Sequence, residues 1–107
     1  MFEGKENAIA VEHLKNGETC ILTGYGQSMT PKLKSGQKVK VIPVTKDTEL
    51  KKNDIVFCKV NGCYYLHKIS AIKNQKTYQI SNNHGHVNGW ISRNNIFGKV
   101  IEILWEL

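Results

Sequence analysis

The pair Asn61-Gly62 sits between two strand-forming runs, Asp54-Ile55-Val56-Phe57-Cys58-Lys59-Val60 and Cys63-Tyr64-Tyr65-Leu66-His67-Lys68-Ile69. A two-residue hairpin turn that matches the twist of its strands needs positive φ at both central positions, and Asn-Gly supplies this at least steric cost. Closure over two residues then sets the register. Val60 faces Cys63, Cys58 faces Tyr65, and Val56 faces His67.

Other strand signals lie on both sides of this hairpin. Thr19–Thr23 is a short apolar run ending in Gly24-Tyr25-Gly26. Gln37–Val44 alternates with Val39 and Val41 on one face, and Pro43 ends that strand or places it at an edge. Thr45–Asn53 is a polar loop. A second hairpin is expected around Asn74-Gln75, joining residues 70–72 to 77–80, and Phe97–Leu104 forms the closing strand. Residues 81–95 read as a polar, Asn-rich loop interrupted by Trp90 and Ile91. About seven short strands at this spacing imply a mostly β fold, a compact sandwich or barrel. A short helical turn is expected within residues 5–15, where Ala8, Ile9, Val11 and Leu14 fall roughly on one side.

With 107 residues there is room for one core. The expected division is an N-terminal extension, residues 1–18, and a single β domain over residues 19–107. A hydrophobic fraction of 40% and a charged fraction of 22% suit a folded chain rather than a disordered one. The net charge of +6 raises nucleic acid as a partner, but the basic residues are scattered. The densest run, Lys32, Lys34, Lys38 and Lys40, reads better as a solvated sheet face than as a binding stripe. Cys20, Cys58 and Cys63 make an odd, sparse set, which points to a reducing, cytoplasmic setting rather than a disulfide framework. The N-terminus holds no apolar run long enough for a signal peptide or a span, so no membrane association is expected.

Chemistry concentrates in Gly26-Gln27-Ser28-Met29-Thr30-Pro31-Lys32-Leu33-Lys34-Ser35-Gly36. Glycine before a serine lets the backbone turn tightly and present the hydroxyl. Met29 would pack inward, and backbone N–H groups nearby can stabilise an oxyanion. Alone, the segment is also compatible with a surface loop in which Ser28 is an ordinary hydroxyl.

This segment resembles the nucleophile box of the LexA/signal-peptidase superfamily, Gly-x-Ser-Met-x-Pro followed by Leu and Gly-Asp, with Gln37 in place of that Asp. Further matches follow in order. Leu50–Phe57 resembles the family's Gly-Asp-Ile-Val segment, with Asn53 replacing the glycine. Tyr65-Leu66-His67-Lys68-Ile69 resembles the box that supplies the general base, a Lys in LexA-type proteins and a His in eukaryotic and archaeal signal peptidases. Ser81-Asn82-Asn83 and the Gly98-Lys99-Val100 ending resemble the last boxes, so the resemblance spans residues 20–103.

The resemblance implies a LexA/signal-peptidase-like β fold and a soluble serine peptidase-like protein. Ser28 would be its nucleophile and His67 its base, with Gln27 and Met29 at the oxyanion or substrate groove and Lys68, Ser81 and Asn88 in support. Adjacent strand residues point to opposite faces, so only one of His67 and Lys68 can share a face with Ser28. An imidazole accepts a proton near neutral pH unaided, whereas a lysine must first lose ~3 pKa units by desolvation. The resemblance also exposes a gap: the supporting aspartates of the His-type signal peptidases fall on Ser81 and Asn88, which carry no charge. A catalytically silent module holding a protein partner in the same groove is therefore the alternative. With no anchor and no room for a DNA-binding domain in the first 18 residues, a stand-alone protein of phage or mobile-element type fits better than a signal peptidase or an intact repressor. His84-x-His86 lacks a third ligand, so no metal or other cofactor is expected.

Overall fold

The structure, a computed structural model, describes residues 4–26 and 28–104. Asn61 and Gly62 adopt φ of 50° and 83°. The turn they form joins β3 (Ile55–Val60) to β4 (Cys63–Lys73). Val60 pairs with Cys63, Cys58 with Tyr65 and Val56 with His67, as the turn requires. The second hairpin links β4 to β5 (Thr77–Ser81), and Asn74 and Gln75 carry the positive φ of its loop. The segments expected at Cys63–Ile69 and 70–72 form one strand of 11 residues.

With β1 (Cys20–Gly24), β2 (Gln37–Pro43), β6 (Val87–Ser92) and β7 (Ile96–Leu104), these strands form one antiparallel sheet. Its order is β1-β2-β7-β3-β4-β5-β6. The sheet does not close, so β1 and β6 are its edges. It curls instead, and β6 packs back over β3.

Strand β3 shows how the core is divided. Ile55 and Phe57 point into a cluster with Leu22, Val39, Val41 and Leu66, while Val56, Cys58 and Val60 point into a second with Ile69, Tyr78, Ile80 and Ile91. A strand buried on both faces reads as a continuous apolar run, which is what Ile-Val-Phe-Cys is. Pro43 ends β2 at its pairing with Gly98, where a missing N–H costs least.

The helical signal proves larger than one turn. Helix α1 (Gly4–Lys15) has 12 residues and buries Asn7, Ala10, Val11 and Leu14, the i, i+3, i+4, i+7 face, against the first cluster. It ends at Gly17: the Gly17 N–H donates to the Leu14 carbonyl at 3.1 Å and the Glu18 N–H to the His13 carbonyl at 3.0 Å.

The polar segment 81–95 is not a continuous loop. Residues 87–92 form β6, paired with β5 through Tyr78↔Ile91 and Ile80↔Gly89. As an edge strand it buries only Ile91, so it carries no alternating pattern.

Candidate active site

Ser28 lies in the connection from β1 to β2. The Gly36 N–H donates to the Gly24 carbonyl at 2.7 Å, the Gly26 N–H to Ser35 Oγ at 3.0 Å, and the Leu33 N–H to the Met29 carbonyl at 2.8 Å. Met29 and Leu33 are buried in the first cluster and anchor the turn from below. Gln27, expected beside Met29 at the groove, lies outside the described residues.

A second segment staples this turn from the side. The Asn83 N–H donates to the Ser28 carbonyl at 2.8 Å, and its amide nitrogen donates to the Thr30 carbonyl at 3.1 Å. His84 Nε2 and Thr30 Oγ1 lie 3.0 Å apart. Lys68 Nζ reaches Asn83 Oδ1 at 3.4 Å, so this lysine turns to the staple while its neighbour His67 meets the serine.

His67 sits on β4 opposite Val56, with 7% of its surface exposed. Its Nε2 lies 3.1 Å from Ser28 Oγ. On the other side of the ring, Nδ1 lies 2.7 Å from Asn88 Oδ1. An amide oxygen only accepts, so Nδ1 carries the hydrogen and Nε2 presents its lone pair to the serine hydroxyl. Burial is the main force holding the His67 pKa below the usual 6.5; the Asn88 hydrogen bond opposes it, and the nearby His86 charge adds to the depression.

Asn88 reaches the imidazole because of a defect in the sheet. Ile80 pairs with Gly89 and Ser81 with Val87, so Asn88 is the extra residue of a β-bulge. A bulge re-aims a side chain, here across the curl toward β4. Gly89 takes φ +148°, and a Cβ there would sit 3.2 Å from Val60 Cγ1. Ser81 is buried and pairs with Lys68, one position from His67; it is Asn88 that contacts the imidazole.

Ser28 and His67 open onto a cavity of about 400 Å³ whose walls include Gly24, Tyr25, Met29, Leu33, Tyr64 and Leu66. Lys34 and His86 also line it, and no acidic side chain does among the described residues. The site can polarise a hydroxyl toward a neutral imidazole beside an apolar cleft, which are the elements of nucleophilic acyl transfer. No group of three or more His, Cys, Asp or Glu side chains is disposed around a metal among the described residues. None of their helices is long and apolar enough to cross a membrane.

Two contributors are hard to see in the sequence. Asn83 belongs to a recognised box, but its clamp on Ser28 and Thr30 spans a large sequence separation. Tyr65 looks like an ordinary strand aromatic; its ring lies against His67, with centroids 4.8 Å apart.

A family model described as Peptidase S24-like matches residues 3–101. Comparison with curated proteins returns no match.

Proposed function

The chain belongs to the Peptidase S24-like family, and from that premise we propose that it is a serine peptidase using Ser28, His67 and Asn88. The observation that carries this reading is the 3.1 Å approach of Ser28 Oγ to an imidazole nitrogen whose other nitrogen is held at 2.7 Å by Asn88. In the proposed reaction, Ser28 Oγ attacks a peptide carbonyl carbon while its proton passes to His67 Nε2. Backbone N–H groups near Ser28 would stabilise the developing oxyanion. The imidazolium returns the proton to the leaving amine as the C–N bond breaks, leaving an acyl-serine. Water then gives a proton to His67 and attacks the ester, and the proton returns to Ser28 as the acid product departs.

That no carboxylate lies beside His67 among the described residues favours a second reading, a silent module that holds a protein segment in the cleft. The three cysteines are unpaired, which supports a reducing compartment in either case. The test is covalent labelling by a fluorophosphonate, read by intact mass and peptide mapping. Modification of Ser28 that is abolished in Ser28→Ala and reduced in His67→Ala supports the peptidase. No labelling at high protein concentration overturns it, and a partner retained equally by wild type and Ser28→Ala supports the module.

A further inference from the structure

The β5–β6 hairpin touches both halves of the site. Asn88, in its second strand, holds His67, and Asn83, in its loop, holds the turn that carries Ser28. The loop is closed on itself. The Asn82 N–H donates to the His86 carbonyl at 2.9 Å, and Asn82 Oδ1 accepts from the His84 and His86 N–H groups at 2.8 and 2.9 Å.

Asn83 grips the serine turn by two different means. Its main-chain N–H reaches the Ser28 carbonyl at 2.8 Å, which the backbone of the loop provides. Its side chain must be oriented. Nδ2 donates to the Thr30 carbonyl at 3.1 Å, and turning the amide over would set Oδ1 against that carbonyl oxygen. Lys68 Nζ lies 3.4 Å from Asn83 Oδ1. An ammonium only donates, so it suits one orientation of the amide, the one that leaves Nδ2 on Thr30. Lys68 arrives there because it pairs with Ser81 across β4 and β5, two residues before Asn83, while His67 beside it points to the opposite face.

We infer that Lys68 is a positioning residue for the nucleophile: it fixes the Asn83 amide, and through the Thr30 carbonyl that amide holds the turn in which Ser28 Oγ meets His67 Nε2 at 3.1 Å. Two neighbours on β4 then serve different halves of the site, one accepting the serine proton and the other steadying the serine. Neither Lys68 nor Asn83 lines the cavity, so the clamp acts from behind the turn. The inference deepens the serine-peptidase reading and rests on it for its effect on rate, although the clamp itself can be measured without any activity.

The experiment is a double-mutant cycle with Lys68→Met and Asn83→Ala in the full chain, with Lys68→Arg as the conservative variant. Methionine keeps a long, unbranched side chain and removes the donor, whereas alanine keeps the N–H of residue 83 and removes the amide. Saturation kinetics with the fluorophosphonate separate the maximal labelling rate from the half-saturating concentration. Hydrogen exchange of the residue 83 N–H, read by NMR, reports its bond to the Ser28 carbonyl. Lys68→Met is expected to lower the maximal rate roughly two- to tenfold, the scale of one net hydrogen bond, and to speed the exchange by a similar factor. The half-saturating concentration should stay at its wild-type value, and Lys68→Arg should recover most of the rate and of the protection. In the Asn83→Ala background, Lys68→Met should add nothing. Exchange as slow in Lys68→Met as in wild type overturns the inference. So does an equal loss of rate in both backgrounds, which would mean that Lys68 acts other than through the amide. If Lys68→Met does not fold, Asn83→Ala decides: a two- to tenfold loss of maximal rate at unchanged half-saturation supports the clamp, and a wild-type rate overturns it. If the wild type fails to label but Lys68→Met still speeds the exchange and Lys68→Arg does not, the peptidase reading falls and the positioning role stands.

Discussion

Replacing Asn88 by Asp puts a charge where the structure shows only an amide oxygen, 2.7 Å from His67 Nδ1. Centre to centre, a carboxylate and an imidazolium in that arrangement are roughly 4 Å apart. At an effective dielectric of about 20 the attraction is then about 4 kcal/mol. Desolvation of the new carboxylate removes part of this, because His67 is 7% exposed and its surroundings are largely apolar. A net gain of about 1.5–3 kcal/mol for the imidazolium corresponds to a rise of roughly one to two units in the His67 pKa. The same attraction acts on the imidazolium that forms as Ser28 attacks, so the fluorophosphonate rate above that pKa should rise about ten- to a hundredfold. The reverse exchange in a Ser-His-Asp triad costs roughly 10⁴-fold, largely through the wrong tautomer; a smaller change is expected here because the amide is already correctly oriented. The assay combines an NMR titration of the His67 ring with labelling rates across pH. A His67 pKa that stays below the usual imidazole range in Asn88→Asp, with no gain in rate, would show that residue 88 is not coupled to the base and would refute the reasoning.

Burial holds the His67 pKa below 6.5, so labelling should persist into mildly acidic solution, with its acid limb centred below that pH. The linked stability has a definite sign: the unfolded histidine binds its proton first, so His67 contributes fully above pH 6.5 and its contribution declines as pH falls from there through the folded pKa. Urea midpoints in wild type and His67→Gln across about pH 4–8 should converge toward the acid end. His86→Gln removes one of the depressing charges and should move the acid limb toward neutrality; an unmoved limb would separate His86 from the site. Gly89→Ala must hold an L-residue at φ +148° with its Cβ 3.2 Å from Val60 Cγ1. A cost of about 1–3 kcal/mol is expected, lowering Tm by roughly 4–8 °C per kcal/mol in a chain of this size. A Tm within about a degree of wild type would show that the bulge is not strained by a side chain.

What the sequence makes legible follows from the range of the forces involved. Asn61-Gly62 acts locally, and its two-residue turn sets the Val56–His67 pairing. The both-face burial of β3 shows as an unbroken apolar run for the same kind of reason. Helix α1 is visible only in part because its buried face includes Asn7 and Ala10, residues that weaken an apolar stripe. Strand β6 is hidden because its role is not to bury a face but to carry a bulge; Asn88 and Gly89 read as turn residues until their partners on β5 are known. The site divides along the same line. Ser28 and His67 stand in ordered motifs, whereas the hold of Asn83 on Ser28 and Thr30 and the contact of Tyr65 with His67 depend on how distant strands curl together.

On the peptidase reading, the electrostatics of the cleft account for both the choice of base and the penalty that choice carries. A lysine would need to shed its charge before it could act, and Lys68 instead directs that charge to Asn83. His67 is neutral at working pH, so Ser28, His67 and Asn88 can be enclosed together without burying an ion. The penalty comes later, in the transition state, when an imidazolium must form at a largely buried ring in a site that has no acidic wall among the described residues and has His86 nearby. Burial therefore makes His67 a ready acceptor over a wide pH range and a reluctant cation at the moment of attack. Asn88→Asp should reverse both properties together, raising the rate while drawing the acid limb toward neutral pH. A variant that changed one without the other would mean that the base and the stabilised cation are not the same group.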